Sequence, residues 1–269
     1  MLISVIAVTR GRPGALDRSL DALNDQEDRG FEVIVGDDGS SEDTCELINA
    51  WKAKYSVRLE HAWQEDLGIR TARARNLAAA RARGDYLVFL GGGCVPRRDW
   101  VAQHRFLAER GFMVAGNCAL VSKAFTERVE AEKLKLQDLS FSECRKLASR
   151  HALSGVSPLV TLPFHPLRKA GSGKWQKVRA SNLGVWTEDF RKANGFDELF
   201  TGWGYEDSDF AVRMLNAGVR RKSGDFATGV FRLHCPDTGR VPRADGYSRL
   251  IARLKGGMVG AERGLRAHL

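Results

Sequence analysis

The opening of the chain alternates short apolar runs of strand type with amphipathic helical stretches, and this rhythm limits the possible folds more than any other feature. Leu2 to Val8 is an apolar run closed by the turn residues Thr9-Arg10-Gly11-Arg12-Pro13-Gly14. Leu16, Leu20 and Leu23 then share one face of a helix. Phe31 to Gly36 is a second strand, ending in Asp37-Asp38-Gly39-Ser40-Ser41. Glu42 to Lys54 is predicted as a helix, Val57 to Trp63 as a strand, Ile69 to Arg83 as a helix and Asp85 to Leu90 as a fourth strand. Crossovers of this length are right-handed and lay successive strands parallel. The expected class is α/β, with a mainly parallel central sheet flanked by helices. Such sheets bind ligands outside the carboxyl ends of their strands. Here those ends carry Thr9 to Arg12, Asp37-Asp38 and the loop after Leu90.

The second half is less regular. Trp100 to Glu109 reads as a helix, Phe112 to Val121 as a strand and Glu127 to Arg150 as one long charged helix. Ser154 to Gly173 holds three of the seven prolines and reads as an insertion, either a lid over an acceptor or a surface excursion. Val178 to Trp186 returns to strand character. From Thr201 to Gly218 the chain reads T-G-W-G-Y-E-D-S-D-F-A-V-R-M-L-N-A-G. Gly202 and Gly204 flank Trp203, the acids Glu206, Asp207 and Asp209 follow, and Phe210, Ala211, Met214 and Leu215 recur at helical spacing. Acids at a helix start are favoured by the dipole and by free backbone N–H groups, so capping is one reading. A large ring beside a carboxylate pair at the wall of a pocket is the other.

The formal charge is +9, from 42 basic and 33 acidic residues among 269. That surplus suits an anionic partner: a nucleotide diphosphate, a nucleic acid or an acidic membrane face. Nucleic acid is disfavoured, because the basic residues are spread along the chain rather than interleaved with aromatics and no recognition motif is present. The first strand is not followed by G-x-G-x-x-G, nor does G-x-x-x-x-G-K-[ST] occur, which disfavours nicotinamide and P-loop chemistry. The five cysteines (45, 94, 118, 144 and 235) lack the paired spacing of a zinc site or disulfide framework and imply a reducing compartment. The chain starts directly on a strand, with no basic leader and no apolar run approaching a membrane span, so a cytoplasmic location is expected. Tyr247 to Leu269 mixes Leu250, Ile251, Leu254 and Val259 with Arg249, Arg253, Lys255 and Arg263. A basic amphipathic extension of this kind, taken as residues 241–269, can lie on the inner face of a membrane or pack against the domain or a second subunit.

Four segments together carry a family resemblance: S-V-I-A-V-T-R at 4–10, E-V-I-V-G-D-D-G-S at 32–40, the run from Ala74 to Leu90 that opens A-R-N and closes G-D-Y-L-V-F-L, and G-W-G-Y-E-D at 202–207. In this order and spacing, over roughly residues 2 to 235, the chain resembles the family 2 glycosyltransferases of the GT-A fold, with a C-terminal part similar to the galactosyltransferase type. The resemblance implies a GT-A domain over 1–240, with a nucleotide-binding half at 1–110 and an acceptor-binding half at 111–240. It implies an inverting transfer of a sugar from a nucleotide-diphosphate donor, a UDP-sugar above all, to a saccharide, lipopolysaccharide or other glycolipid acceptor in cell-envelope polysaccharide assembly. Thr9, Arg10, Asp37, Asp38, Arg70 and Asn76 are implied as nucleotide contacts. Asp207 is implied as the base that takes the acceptor's proton, Glu206 as its helper, and Trp203, Gly204 and Asn182 as acceptor contacts. His234 is implied as a metal ligand, with Mn²⁺ or Mg²⁺ as the ion.

The chain departs from the family at one place. After F-L the family writes D-x-D, whose acids hold the metal; this chain writes Gly91-Gly92-Gly93. Glycine offers no side-chain oxygen to a hard cation. Three explanations stand open at this point: an engineered loss of a metal site, a natural variant that stabilises its leaving group with Arg or Lys, and a non-catalytic sugar-nucleotide or glycan-binding protein. Arg97 and Arg98 just beyond keep the second open.

Overall fold

A computed structural model of the chain describes residues 1–162, 166–236 and 244–269. β1 (Ile3–Thr9), α1 (Pro13–Asn24), β2 (Phe31–Asp38), α2 (Glu42–Lys52), β3 (Leu59–Gln64), α3 (Thr71–Ala80) and β4 (Tyr86–Gly91) carry out the alternation read from the sequence. β3, β2, β1 and β4 lie side by side in that order, all parallel. The register pairs Thr9 with Asp37 and Val8 with Gly91, which brings the polar strand ends to one edge of the sheet. Both faces are covered. Leu16, Leu20 and Leu23 of α1 pack on Val5, Val33 and Val88, while Ala72 and Ala78 of α3 pack on Ile6, Ile34 and Phe89. Burial on two faces is why β1, β4 and the middle of β2 read as continuous apolar runs rather than alternating ones, while the edge strand β3 is partly exposed.

After β4 come β5 (Cys94–Pro96), α4 (Trp100–Leu107), β6 (Phe112–Ala115), β7 (Cys118–Leu120), α5 (Lys123–Ala131) and α6 (Phe141–Ser149). They are followed by β8 (Asn182–Trp186), α7 (Thr187–Lys192), α8 (Glu206–Asn216), β9 (Arg220–Ser223), β10 (Val230–Arg232) and α9 (Ala244–Gly256). β8 enters antiparallel between β4 and β6, and β9 pairs parallel with β6. The large sheet therefore has the order β3-β2-β1-β4-β8-β6-β9, beside a small sheet of order β5-β10-β7. The halves expected at 1–110 and 111–240 thus share one sheet and one core.

Two predicted elements are each broken in two. The strand expected over Phe112 to Val121 stops at Gly116-Asn117, where the chain passes from the large sheet to the small one. A Cβ at Gly116 would lie 2.3 Å from Asn182 Nδ2 and 2.6 Å from Thr228 Oγ1, so only glycine fits this crossing. The helix expected over Glu127 to Arg150 breaks near Lys133, which has φ of 52°. It restarts at a capping box in which Ser140 Oγ accepts from Glu143 N and Glu143 Oε2 accepts from Ser140 N at 2.8 Å. Phe125, Val129, Leu136 and Cys144 from this region pack with Ala15 and Ala22 of α1 and Phe231 of β10. It is a packed wall. The irregular stretch beyond it is pinned by Arg168, whose guanidinium donates to the carbonyls of Leu162 and Asp225; residues 163–165 lie outside the described residues.

The C-terminal extension docks on the domain. Leu250 of α9 is buried, and Leu265 joins the core cluster of Phe190, Phe196 and Phe210. The expected boundary at 240/241 lies outside the described residues. Among the described residues no helix is long and apolar enough to cross a membrane.

Candidate active site

At the carboxyl ends of β1 and β4 lies an open hollow of about 190 Å³. Its walls include Thr9, Arg10, Arg12, Thr71, Ser181 and Arg232, with Gly91, Gly92 and Gly93 along one side. Among the described residues no carboxylate lines it. Gly92 is required by packing: its N–H donates to Val8 O at 2.6 Å, and a Cβ would lie 2.6 Å from the same oxygen. Gly91 and Gly93 are under no such demand, since neither has a left-handed backbone. A Cβ at Gly91 would meet Cys94 Sγ at 3.2 Å, and one at Gly93 would meet Arg12 Nη1 at 3.3 Å.

The second strand's two acids, expected as nucleotide contacts, are both engaged with neighbouring groups of the protein. Asp37 is fully buried, accepting from Ser40 N at 2.9 Å and facing His61 Nε2 at 3.0 Å. Its pKa is lowered: burial alone would raise it, but the hydrogen bonds from His61 and Ser40 outweigh that. Asp38 is also buried, and its carboxylate accepts from Gln64 Nε2 at 2.6 Å, from Arg70 N at 3.0 Å and from Thr71 Oγ1 at 3.4 Å. Both acids are consumed within the protein. Asp38 holds the N-terminus of α3 and with it Thr71, which does line the hollow. Arg10 is aimed by Asp38 O at 2.7 Å and by Asp66 Oδ1 at 2.8 Å, and its side chain reaches the hollow. Arg70 contributes its backbone N–H to Asp38, while its guanidinium donates to Glu65 O.

One turn along α3 stands Arg75, the arginine of the A-R-N run, to which sequence reasoning gives no role. It is buried, donates from Nη1 to Asp207 Oδ1 at 2.9 Å, and lies 3.5 Å from Glu206 Oε1. Its guanidinium stacks over the Phe196 ring, 4.8 Å from the centroid. The second Asp207 oxygen accepts from Ala180 N at 3.0 Å, next in sequence to Ser181 on the hollow's wall. Asp38 and Asp207 are thus tied to successive turns of one helix. Glu206 has a raised pKa, from burial first and the neighbouring Asp207 charge second, partly offset by Arg75. Gly202 N donates to Ile69 O at 2.8 Å, which fastens the Gly-Trp-Gly turn to the loop before α3. Gly202 and Gly204 have φ of 81° and 101°, and the Trp203 ring is 41% exposed. Neither Trp203 nor Gly204 lines the hollow.

Two other expected contact residues are hydrogen-bonded within the protein. Asn76 is fully buried: its Nδ2 donates to Phe196 O at 2.8 Å and Glu198 Oε1 at 3.0 Å, and its Oδ1 accepts from Phe196 N at 2.9 Å. Asn182 Nδ2 donates to the carbonyls of Asn117 and Thr228, which turns Oδ1 toward Trp100 Nε1 at 3.3 Å and His104 Nε2 at 3.1 Å. All four of its hydrogen-bonding capacities are used. Trp Nε1 can only donate, so His104 also donates, carries its proton on Nε2 and is neutral. Burial pushes its pKa down to about 4, from 6.5. Below pH 6.5 the unfolded chain takes up a proton that native His104 refuses, so stability present above that pH is lost as pH falls toward 4. Denaturant titrations should show a loss on the order of 2–3 kcal/mol from this group across the window. That component should vanish in His104→Gln; an unchanged pH slope in the variant would exclude it.

His234 is exposed just past β10, its backbone N–H donating to Thr126 Oγ1 at 2.8 Å. Among the described residues no group of three or more His, Cys, Asp or Glu is placed to hold a metal ion, so His234 has no ligand set to join. The glycine loop supplies no side-chain donor, and the charged groups facing it are guanidiniums. These residues do not fit a divalent cation.

A second hollow of about 380 Å³ shares Ser181 and Arg232 with the first and is lined by Lys177, Arg179 and Arg221, with Asp225 its one acid among the described residues.

Comparison with known proteins bears on the family and the fold. The chain is 30% identical over 245 residues to a validoxylamine A glucosyltransferase of Streptomyces hygroscopicus subsp. jinggangensis, covering 81% of this chain and 52% of the relative. It is 37% identical over 244 residues to an uncharacterized glycosyltransferase, YfnE, of Bacillus subtilis, covering 81% and 62%. A hyaluronan synthase of Pasteurella multocida is 26% identical over 271 residues, covering 90% of this chain and 25% of that protein. The chain spans about half the length, or less, of several curated relatives it matches. Among solved structures, S. aureus TarS 1-349 in complex with UDP-GlcNAc superposes with a TM-score of 0.64 at 14% identity, covering all of this chain and 69% of that one. The Pyrobaculum calidifontis mannosyltransferase PcManGT, in complex with GDP-Man and Mn2+, gives 0.53 at 18% identity, covering 92% and 59%. These likenesses establish the GT-A fold. The family model described as glycosyltransferase like family 2 matches residues 3–223, most of the chain, and the protein belongs to that family.

Proposed function

We propose that the chain is an inverting glycosyltransferase that moves a sugar from a nucleotide-diphosphate donor, a UDP-sugar first of all, to a hydroxyl of a saccharide or lipopolysaccharide acceptor. One observation carries this reading: a guanidinium- and hydroxyl-lined hollow at the strand ends, with the Asp207–Arg75 pair one residue behind its Ser181 wall. The donor's diphosphate occupies that hollow, and the acceptor occupies the neighbouring one. Asp207 takes the proton of the acceptor hydroxyl as its oxygen bonds to the anomeric carbon. The bond from that carbon to the diphosphate oxygen breaks, and its electron pair leaves with the nucleotide. Glu206, held largely buried beside Arg75, keeps the loop and the acceptor in place. The solved relative with UDP-GlcNAc and the hyaluronan synthase among the sequence relatives support a UDP-sugar donor and a polysaccharide product. With no membrane-spanning helix among the described residues, the protein is proposed to act in the cytoplasm or at the membrane's inner face.

The glycine triplet favours a second reading, a sugar-nucleotide-binding protein without turnover. The test is a panel of UDP-sugars with oligosaccharide acceptors, followed by UDP release and the anomeric configuration of the product. Transfer with inversion supports the enzyme; UDP binding with no transfer under any condition leaves the binding protein.

A further inference from the structure

The glycine loop's disagreement with a metal site points to what replaces the metal. We infer that the hollow takes the donor's diphosphate as the free anion, with Arg12 and Arg232 supplying the charge a divalent cation would otherwise bring. The inference rests on the donor reading above and deepens it.

Three observations converge. First, the hollow's charged lining is three arginines and, among the described residues, no acid. A divalent cation entering it would meet like charge on every side, whereas a diphosphate would meet opposite charge. Second, a guanidinium stands where an acid of the family's motif would project: a Cβ at Gly93 would touch Arg12 Nη1 at 3.3 Å. Arg12 is steered from outside by Glu130, whose Oε1 accepts from Nη2 at 3.0 Å, leaving Nη1 on the loop's side. Third, Arg232 lines both hollows and has no carboxylate partner within 4 Å among the described residues. A planar fork of donors at the junction of donor and acceptor spaces can bind two phosphate oxygens and neutralise the charge that develops as the glycosidic bond breaks. Glycine at 93 fits this scheme, since a carboxylate there would pair with Arg12 and compete with phosphate.

The test is calorimetry of the full chain with UDP and GDP, and with UMP and GMP, in excess EDTA and again with Mn²⁺. At least one diphosphate should bind in EDTA at least about tenfold tighter than its monophosphate, with affinity changed less than about threefold by Mn²⁺. Arg232→Met should cost at least about tenfold in diphosphate affinity with the monophosphate little affected, and Arg232→Lys should recover part of it. Gly91→Asp with Gly93→Asp should weaken diphosphate binding in EDTA. Diphosphate binding that appears only with Mn²⁺ would overturn the inference and leave the transferase reading intact. So would Arg232 and Arg12 variants of native thermal stability that bind as the parent does, or a double-Asp variant whose turnover rises by orders of magnitude with Mn²⁺. Absence of any nucleotide binding in either condition would overturn both readings together.

Discussion

Asparagine in place of Asp207 is expected to lower glycosyl transfer by about a thousandfold while leaving nucleoside diphosphate affinity within about twofold. The asymmetry follows from where the carboxylate sits. Its oxygens accept from Arg75 on one side and from Ala180 N on the other, and the hollow assigned to the diphosphate is lined by other residues. An amide can accept at one of those positions and must present N–H groups at the other, so a modest loss of stability, on the order of 1 kcal/mol, should accompany the change. Thermal melts and UDP titration separate that loss from the chemistry: a variant that folds and binds UDP but does not transfer identifies Asp207 as the base. A variant that still transfers at a rate near the parent's would reduce Asp207 to a tether for the Ala180-Ser181 wall. Glu206→Gln is the informative neighbour. It keeps the Asp207–Arg75 pair, so its loss should be far smaller than that of Asp207→Asn.

The early half of the fold was legible because each signal is local. Leu16, Leu20 and Leu23 declare their face by spacing alone, and β1, β4 and the middle of β2 are apolar runs because they are buried on both sides. The breaks at Gly116-Asn117 and Lys133 were not read, although the second had a signal in the S-F-S-E run at 140–143 that caps α6. The first is set by a partner far along the chain, since Gly116 is small in order to let Asn182 pass. The site divided in the same way. Arg10 and Asp207 are singled out by motif; Arg10 lines the hollow, and Asp207 is bonded to Ala180 N, next in sequence to Ser181 on its wall. The burial and internal hydrogen bonds of Asp38 and Asn182 were not legible, because exposed polar residues and buried ones look alike in a sequence. Arg75 was missed for the converse reason: its partner lies 132 residues away, and a charged helical residue declares nothing about burial until that partner is in place.

Removing Arg253 is expected to destabilise the protein by about 3–5 kcal/mol, more than loss of any surface ion pair. Arg253 projects from α9 into a charge cluster that joins the C-terminal segment to α8. Its guanidinium donates to Asp197 Oδ2 at 2.7 Å, to Asp209 Oδ1 at 3.2 Å and to Glu262 Oε1 at 2.8 Å. Arg213 donates to the other Asp209 oxygen, and Asp197, Asp209 and Arg213 are all fully buried. Two buried carboxylates are thus balanced by two guanidiniums, and Arg253→Met leaves one of them uncompensated. Asp209 already has a raised pKa, because burial outweighs its two arginines. A carboxylate whose native pKa is raised burdens the fold at high pH and is relieved as pH falls through that pKa. The deficit of Arg253→Met should therefore be largest at neutral pH and narrow on acidification, measured as the difference between parent and variant in urea midpoints. Asp209→Asn in the Arg253→Met background should recover part of the loss, the mark of a coupled pair. Because Asp209 sits on α8 two residues after Asp207, the same variant should lose transfer at temperatures where its nucleotide-binding half remains folded. A variant as stable as the parent, with the same pH dependence, would show that α9 is an appendage and that the position of Asp207 owes nothing to it.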